Sequence, residues 1–305
     1  MGVEKFVQAI PAIVTTVAIL ALIFVPLERL SPLRAKKHLR AGIFSDLGHL
    51  VVTSALTGII VAGFTFLVGK VLDTVVVLPL ASLVPGFSIE GFRAGVAHQP
   101  IWLQVVEMLV LADFFAYWLH RSAHELRPLW RFHCVHHSPA ELDWLATPRL
   151  HPVDQALKNT AKFVPVYLCG FDPTAFGVGF GIIAAFLGYY VFLVHANVRV
   201  NLAWIEPLHI TPRFHHWHHA LDPINKNYAD QFPVWDILFG SYHMPDGQKW
   251  PAAYGTHAPV PTNWFMQMVH PFNPWARFSW NMPQEETGEP AADTAPASAA
   301  TSSRA

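Results

Sequence analysis

Three groups of histidines have the spacing of metal ligands on helices. The first two groups fall within residues 113–137 and the third follows much later in the chain. Side chains three and four residues apart lie on one face of a helix, about 5–6 Å apart at Cβ, and imidazole is the commonest metal-binding side chain. The groups read HxxxH, HxxHH and HxxHH, and they comprise His120, His124, His133, His136, His137, His215, His218 and His219. Eight imidazoles are too many for one ion of ordinary coordination number but suit two, so the spacing predicts a dimetal site.

The identity of the metal stays open at this point, since imidazole ligands suit zinc, copper, iron and nickel. A zinc protease would need HExxH with a glutamate base. His124 and Glu125 begin that motif, but Pro128 takes the place of its second histidine. Two irons beside a membrane would serve to bind O2 and attack an unactivated C–H bond. A zinc-dependent membrane hydrolase or isomerase, and a non-catalytic metal-binding or transport protein, are the alternatives.

The composition is that of an integral membrane protein. Hydrophobic residues make up 52% of the 305 residues and charged residues 13%, against about 25% charged in a soluble domain. The net charge of -1 and the absence of a long basic patch argue against a nucleic-acid partner. Cys134 and Cys169 do not form a disulfide framework and are expected to be buried thiols.

The apolar segments predict an all-α protein with about four transmembrane helices. The predicted crossings are residues 8–28, 47–69 and 101–119, and a helical hairpin at 160–194 that is broken near Gly170. The first segment is not followed by the small-residue cleavage site of a signal peptide. A basic group follows instead and indicates the cytoplasmic side, formed by Arg34, Lys36, Lys37 and Arg40.

The order of these segments predicts where the metals lie. The third crossing leads directly into His120, and an even number of crossings at 160–194 would return the chain to the same face before His195. A cytosolic, histidine-rich helical cap would then hold the dimetal site. Residues 71–86 are predicted to be interfacial or re-entrant, and residues 87–100 a polar loop on the far side.

The chain is predicted to contain four regions. Residues 1–100 are expected to form N-terminal membrane helices and residues 101–245 the catalytic region. Residues 246–283 are expected to complete the cap. Residues 284–305 are rich in Ala, Ser, Thr and Pro, a composition that cannot support a packed core, so this tail is predicted to be disordered.

Between about residues 105 and 245 the chain resembles the fatty acid hydroxylase/sterol desaturase superfamily of membrane di-iron enzymes. The segments that carry the resemblance are DFFAYWLHRSAH (113–124), LWRFHCVHHS (129–138), RLHPVD (149–154), HANV (195–198), TPRFHHWHH (211–219), NKNYAD (225–230) and WDILFG (235–240). The resemblance implies a helical membrane base with a cytosolic cap, two iron ions held by histidines, O2 as cosubstrate and a lipid substrate taken from the bilayer. A purified sample could carry zinc in place of iron.

The resemblance also assigns roles to individual histidines. It carries the metal-ligand role onto the eight histidines of the three groups and adds His195, which stands in a His-x-Asn setting. His151 is left open between a ligand, a partner of a ligand and a structural residue. His216 lies outside the HxxHH spacing and is predicted to face outward or toward the substrate.

Hydrogen-bond partners of the ligands are expected, because a metal-bound histidine usually donates its other N–H to a carboxylate, a carbonyl or water. The candidates are Asp113, Asp143, Asp154, Asn197, Asp230 and Asp236, for each of which a capping or turn role is equally compatible. Aromatic residues flank the histidines, and they either line a lipid channel or pack in the core and at the interface: Tyr117, Trp118, Trp144 and Trp217.

The predicted function is therefore the hydroxylation or desaturation of a lipid C–H bond, with hydroxylation favoured over desaturation and with a sterol desaturase or an ether-lipid monooxygenase as variants. The sequence contains no cytochrome b5-like HPGG segment and no flavin or nicotinamide fingerprint. Electrons are therefore expected from a separate donor, either cytochrome b5-like or a ferredoxin/reductase pair. A bacterial inner membrane is the favoured location and the endoplasmic reticulum the alternative.

Overall fold

The computed structural model describes residues 3–35, 40–77, 79, 83–84, 86–182, 186, 188–276 and 278. Within these residues the regular secondary structure is helical, and two isolated bridges pair Pro32 with Val198 and Ala220 with Tyr254. The predicted, mostly helical architecture is therefore confirmed. Lys36, Lys37 and the predicted disordered tail lie outside the described residues.

In the described part of the N-terminal third, the α-helices with assigned bounds are α1 (Val3–Leu30), α2 (Ile43–Gly48), α3 (Ser54–Leu72) and α4 (Ile89–Ala97). Turns of π-helix at His49–Thr53 and Asp73–Val77 extend α3 at both ends. Residues 71–77 therefore continue α3 and are not a separate re-entrant piece.

Residues 89–97 form a helix where the sequence pattern predicted a polar loop. The Ser88 hydroxyl accepts a hydrogen bond from the Gly91 backbone N–H and caps the first turn of α4. Ile89 and Val96 are buried, so packing of these two side chains outweighs the exposed, small and polar residues between them.

Two long elements place the first histidines. Helix α5 (Ile101–Glu125) runs as one piece through the predicted third crossing and past it, so His120 and His124 are parts of the same helix. Leu126 is extended and ends α5, and α6 (Arg127–His137) begins immediately afterwards with Pro128 in its first turn. The tight turn folds α6 back so that its histidines face those of α5.

In the described residues, three helical segments cover the predicted helical hairpin: α7 (Pro152–Cys169), α8 (Pro173–Ile182) and α9 (Gly188–His195). Gly170 has φ 65° and closes α7 with the left-handed conformation that glycine adopts readily. Helix α7 packs along both α3 and α5, and α8 packs against α5. Three short helices complete the cap: α10 (Pro212–His218), α11 (Val234–Phe239) and α12 (Trp264–Val269).

Helix α1 is joined to the cap through an apolar core. Leu20 and Phe24 of α1 are buried against Trp144, Ala196 and Val198. Phe24 and Trp144 stack with their ring centroids 6.2 Å apart. Trp144 is therefore a core residue, and the segment that follows His195 is anchored from the N-terminal side of the chain.

A buried ionic network ties the loop before α2 and α2 itself to the segment between α6 and α7. Arg40 binds Asp46 at 2.5 Å and Asp143 at 2.7 Å, and Arg149 binds Asp46 at 2.5 Å. All four side chains are buried, and each charge has an opposite charge in contact with it, which is the condition for burying such groups. The network fixes the backbone at residue 149, which the metal site uses.

Within the described residues, two helical segments are long and apolar enough to cross a membrane, Ile60–Val77 and Ile101–Glu125. The second of these ends in the first histidine group. The expectation of about four crossings, and of the side of the membrane on which the cap lies, stays a prediction.

Candidate metal centre

The structure brings the nine predicted histidines together in two buried groups. The five-histidine cluster consists of His120, His124, His133, His137 and His218, and the four-histidine cluster of His136, His195, His215 and His219. Within each cluster, one possible ligand atom from every histidine lies within 4.8 Å of those of the others. Each cluster can therefore hold a metal ion.

Each HxxHH group is divided between the two clusters. In α6, His133 and His137 are four residues apart and belong to the five-histidine cluster, whereas His136 belongs to the four-histidine cluster. At α10 the division is reversed, because His215 and the residue that ends the helix, His219, join the four-histidine cluster, and the residue between them, His218, joins the other. The two helices thus each contribute to both clusters in reciprocal fashion.

In the five-histidine cluster, ring nitrogens converge on a common point. Nε2 of His133 lies 3.1 Å from Nε2 of His120 and 3.2 Å from Nε2 of His137. Nitrogens bound at about 2.0–2.1 Å from one ion are separated from their neighbours by about 3 Å. Nδ1 of His133 lies 3.0 Å from an Asp154 carboxylate oxygen, which can only accept, so Nε2 of His133 carries the lone pair that a metal needs.

The four-histidine cluster has the same spacing. Nε2 of His215 lies 2.9 Å from Nε2 of His195 and 3.0 Å from Nε2 of His219. Nε2 of His136 lies 3.5 Å from Nε2 of His195. These atoms face one another across a gap of the size that one ion fills.

Some ring nitrogens of the five-histidine cluster have no hydrogen-bond partner, as expected for metal ligands. Nε2 of His218 is buried without a hydrogen-bond partner among the described residues, as are both ring nitrogens of His124. A buried polar atom without a partner costs about 1–3 kcal/mol. A metal ion bound in the five-histidine cluster would remove that cost for Nε2 of His218 and for one of the two ring nitrogens of His124. The residues present therefore fit a metal ion.

Burial keeps these imidazoles in the form that binds metals. It lowers the pKa of His218 to about 3. Burial, with the neighbouring imidazoles, also holds the pKa values of four further cluster histidines well below their usual range, namely His136, His137, His215 and His219. Their rings are neutral at pH 7, and neutral imidazole is the metal ligand.

Backbone carbonyls orient four of the nine rings. Each carbonyl accepts a hydrogen bond from an Nδ1–H, and the lone pair of Nε2 therefore stays available to bind a metal. The pairs are His120 with Tyr228 at 2.7 Å, His136 with Arg149 at 3.2 Å, His195 with Val191 at 2.8 Å and His218 with Lys226 at 3.0 Å. Backbone acceptors have no side-chain signature, so the sequence pattern could not identify them.

Of the six side chains predicted to orient ligands, Asp154 contacts a cluster histidine in the described structure, whereas the other five have different partners. Asp113 accepts from the backbone N–H of Phe232 and the indole N–H of Trp235, and Asp236 accepts from the backbone N–H groups of Tyr228 and Ala229. The remaining pairs are Asp143 with Arg40, Asn197 with the backbone of Arg34, and Asp230 with Lys158 and Lys162.

His151 lies in neither cluster. Its Nδ1 accepts a hydrogen bond from the Val153 backbone N–H and caps α7, and its Nε2 lies 3.1 Å from the Met268 carbonyl oxygen. The structural role is therefore the one that the geometry supports.

The prediction that His216 faces outward was wrong, whereas its alternative, a position toward the substrate, stays a prediction. The residue is fully buried, with Nε2 3.1 Å from the Ala196 carbonyl oxygen and Nδ1 2.6 Å from the Tyr254 hydroxyl. It points away from the metal clusters, but segments following α9 and around residue 254 cover it completely. Tyr254 was not singled out from the sequence, and no local pattern marks it.

Cys134 is a core residue, and so are Tyr117 and Trp217, in addition to Trp144. Cys134 is buried and burial raises the pKa of its thiol to about 12, so it stays protonated and outside the clusters. The Tyr117 hydroxyl hydrogen-bonds that of Ser241, and the Trp217 indole donates to the Lys249 carbonyl. Trp118 is 39% exposed.

The two clusters border cavities of different size. The four-histidine cluster opens on a cavity of about 230 Å³, which is lined by His136, His195 and His215. The five-histidine cluster borders a cavity of about 10 Å³, which is room for about one water molecule.

The fold and the site define a class of protein: a helical chain with apolar segments of membrane-crossing length and two adjoining all-histidine clusters able to hold metal ions. Residues 105–241 match the family model of the fatty acid hydroxylases. Ornithine lipid hydroxylase OlsE of Rhizobium tropici is 33% identical over 263 residues, which cover 85% of this chain and 74% of that protein. The chain belongs to the fatty acid hydroxylase family.

Shorter matches come from other branches of the family. Alkylglycerol monooxygenase of Homo sapiens is 32% identical over 56% of this chain and 37% of its own length. Delta(7)-sterol 5(6)-desaturase erg3B of Aspergillus fumigatus is 28% identical over 48% of this chain and 41% of its own length. No solved structure shows significant similarity to the chain.

Proposed function

We propose that this protein is a membrane-bound di-iron oxygenase that hydroxylates a lipid C–H bond with O2 and electrons from a separate donor. The observation that carries the proposal is the pair of adjoining all-histidine clusters, one of which opens on a cavity with an apolar wall. The relative with broad coverage of this chain, named a lipid hydroxylase, supports the same reaction.

The nine cluster histidines would hold two iron ions, which supply the activation of O2 when bound. The overall reaction converts a C–H bond, O2, two electrons and two protons into an alcohol and water. All-imidazole ligation also suits zinc, so a purified sample can contain zinc without contradicting the proposal.

The chain itself performs the remaining tasks. Asp154 and the four carbonyl acceptors hold five of the rings in position. Burial keeps the rings of His136, His137, His215, His218 and His219 neutral. The apolar side of the cavity would receive the lipid, and the small space beside the five-histidine cluster limits the water on that side to about one molecule. Exclusion of water protects a reactive site from side reactions.

Hydroxylation is favoured over desaturation, because the hydroxylase relative covers 85% of this chain and the sterol desaturase 48%. We place the protein in the membrane with several crossings and the cap on the cytoplasmic side, in a bacterial inner membrane. A soluble or membrane-bound carrier, either cytochrome b5-like or a ferredoxin with its reductase, would deliver the electrons to the cap.

The test is turnover of extracted membrane lipids by the purified full-length protein with ¹⁸O2 and a reducing system. We expect a lipid product that carries one labelled oxygen atom, and about two irons per chain after anaerobic purification. An alkene product without label would indicate a desaturase. Full turnover with two zincs and without O2 would overturn the proposal in favour of a hydrolase or isomerase.

A further inference from the structure

The cavity beside the four-histidine cluster has a polar wall that the proposed reaction does not require. Asp154, Lys158 and Lys162 follow one another at intervals of four residues and so share a face of α7. Asp154 holds His133 of the neighbouring cluster. The next two residues on this face, Lys158 and Lys162, line the cavity together with Asp230.

The charges on this wall do not cancel. Lys158 Nζ lies 2.7 Å from one carboxylate oxygen of Asp230, and Lys162 Nζ lies 2.5 Å from the other. Although burial opposes ionisation, the two ammonium groups hold the pKa of Asp230 well below its usual range. Among the residues that line the cavity, two ammonium groups against one carboxylate leave an excess of one positive charge. The carboxyl group of Asp113 also acts on Lys162 but lies outside the lining.

Both lysines remain accessible from the cavity. Their side chains are 25% and 34% exposed, while that of Asp230 is 17% exposed. An ammonium group has three donors, and Asp230 takes up part of this capacity in each case. Three amide side chains on the cavity lining offer further N–H donors: Gln155, Asn159 and Gln231.

Another part of the lining is apolar and comes partly from α9, the helix that ends at His195. It is formed by Tyr190, Val191, Val194 and Ile210. The volume of about 230 Å³ is below the range of about 300–1,000 Å³ that encloses a drug-sized ligand. The cavity therefore holds one end of a lipid and not a whole lipid.

We propose that Lys158 and Lys162 bind an anionic group of the lipid substrate, a phosphate or a carboxylate, and thereby bring a carbon close to that group to the metal site. This inference rests on the proposed function, since it assigns the substrate class of the same site. Lysine binds such groups as a point charge, and partial removal from water strengthens the attraction. The apolar wall receives the adjoining part of the lipid.

The first experiment compares matched lipids that differ in charge. The purified full-length protein in detergent, with its metals, is tested for binding of radiolabelled lipids. The phosphate arm compares palmitoyl lysophosphatidate, which is anionic, with neutral monopalmitoylglycerol. The carboxylate arm compares N-palmitoylglycine, which is anionic, with its neutral methyl ester. We expect the anionic member to bind at least about tenfold more tightly in one arm, a difference of 1.4 kcal/mol. The arm with the larger preference identifies a phosphate or a carboxylate.

The second experiment removes the positive charges. In Lys158→Gln/Lys162→Gln we expect the preference for the anionic lipid to fall about tenfold or more, with metal content unchanged. Lys249→Gln is the matched control, because Lys249 is an exposed lysine of the cap whose contact with Trp217 uses its backbone carbonyl. The single variant Lys162→Gln serves if the double variant is recovered in poor yield.

Removing the negative charge of Asp230 distinguishes a role of the two lysines in lipid binding from a purely structural role. Asp230→Asn leaves two positive charges without their carboxylate, so we expect a stronger preference for the anionic lipid. If the three residues served only to hold the fold, Asp230→Asn and the lysine substitutions would change binding in the same direction. That result, or an unchanged preference in the lysine variants, would overturn the inference.

The failure of this inference and of the proposed function can be told apart. Equal binding and equal O2-dependent turnover of anionic and neutral lipids would remove the charge recognition and leave the oxygenase intact. A charge preference that depends on both lysines, without O2-dependent oxidation of any lipid, would leave the binding site intact and remove the oxygenase.

Discussion

The two histidine clusters have similar ligands but different surroundings. The five-histidine cluster is fixed by a carboxylate, Asp154, and by two carbonyls, and it borders a cavity of about 10 Å³. The four-histidine cluster is fixed by carbonyls in the described structure and opens on a cavity of about 230 Å³. An enclosed site with a charged partner suits stable retention of a metal, and an open site suits contact with a substrate.

The largest effect is expected from removing a ligand of either cluster. His136→Ala should lose the metal of the four-histidine cluster and His218→Ala that of the five-histidine cluster, and both should lose lipid oxidation, since the reaction needs both metals. Metal per chain, product formation and membrane insertion are the measurements. His98→Ala, at an exposed histidine, is the control. Unchanged turnover in both cluster variants would remove these residues from the active site.

A smaller effect is expected at the charged partner. Asp154→Asn removes the negative charge that orients His133, and loss of such a partner typically costs about 10–100-fold in metal affinity or activity. The loss should be confined to the five-histidine cluster, which a metal titration with two resolved steps would show. Glu141→Gln, at an exposed carboxylate, should leave both steps in place. Equal weakening of both steps would contradict the distinction between the clusters.

Filling the cavity should lower kcat/KM for the lipid without changing the metal content. Val191→Phe places a larger side chain on the cavity wall while the backbone carbonyl that orients His195 remains. We expect kcat/KM for the lipid to fall about tenfold, the order of effect that a misfit in an apolar pocket produces, with metal content unchanged. Val234→Phe is the matched control, since both valines are 40% exposed. The same loss in both variants would show that the cavity is not the lipid site.

The smallest effect concerns the fold around the site. Tyr254→Phe removes the hydroxyl that lies 2.6 Å from Nδ1 of His216 and leaves that nitrogen buried without a partner, at a cost of about 1–3 kcal/mol. Unfolding of the full chain in detergent should show the loss. Tyr242→Phe is the comparison, because the described residues give its hydroxyl no hydrogen-bond partner. Equal stability of Tyr254→Phe and the unaltered protein would show that the contact contributes nothing.

The histidines of the site were accessible from the sequence because helical spacing is a local property. The HxxxH and HxxHH spacings predict which side chains lie near one another on a helix, and the structure places these histidines on or at the ends of α5, α6 and α10. The continuous helix α5 also followed from its apolar run. The signal for α4 was present as well, since Ser88 is a capping residue before an apolar position, but the small and polar residues after it outweighed that signal.

Other features of the site depend on contacts between segments that are distant in the sequence, so local sequence patterns do not predict them. Spacing does not say that His136 separates from His133 and His137, because that depends on where α9 and α10 lie. It does not identify which of six polar side chains reaches a ligand, and it says nothing about carbonyl acceptors such as that of Tyr228. The outward prediction for His216 failed for the same reason, since the residues that cover it come from other parts of the chain.

The reciprocal division of the two HxxHH groups has a consequence for assembly. Because α6 and α10 each supply ligands to both clusters, an ion bound in either cluster cross-links the same two helices. Either ion alone therefore holds α6 against α10, and loss of one ion should leave the two helices in place. A half-loaded protein should therefore keep its fold, and this is what allows metal binding at the two clusters to be measured as separate steps.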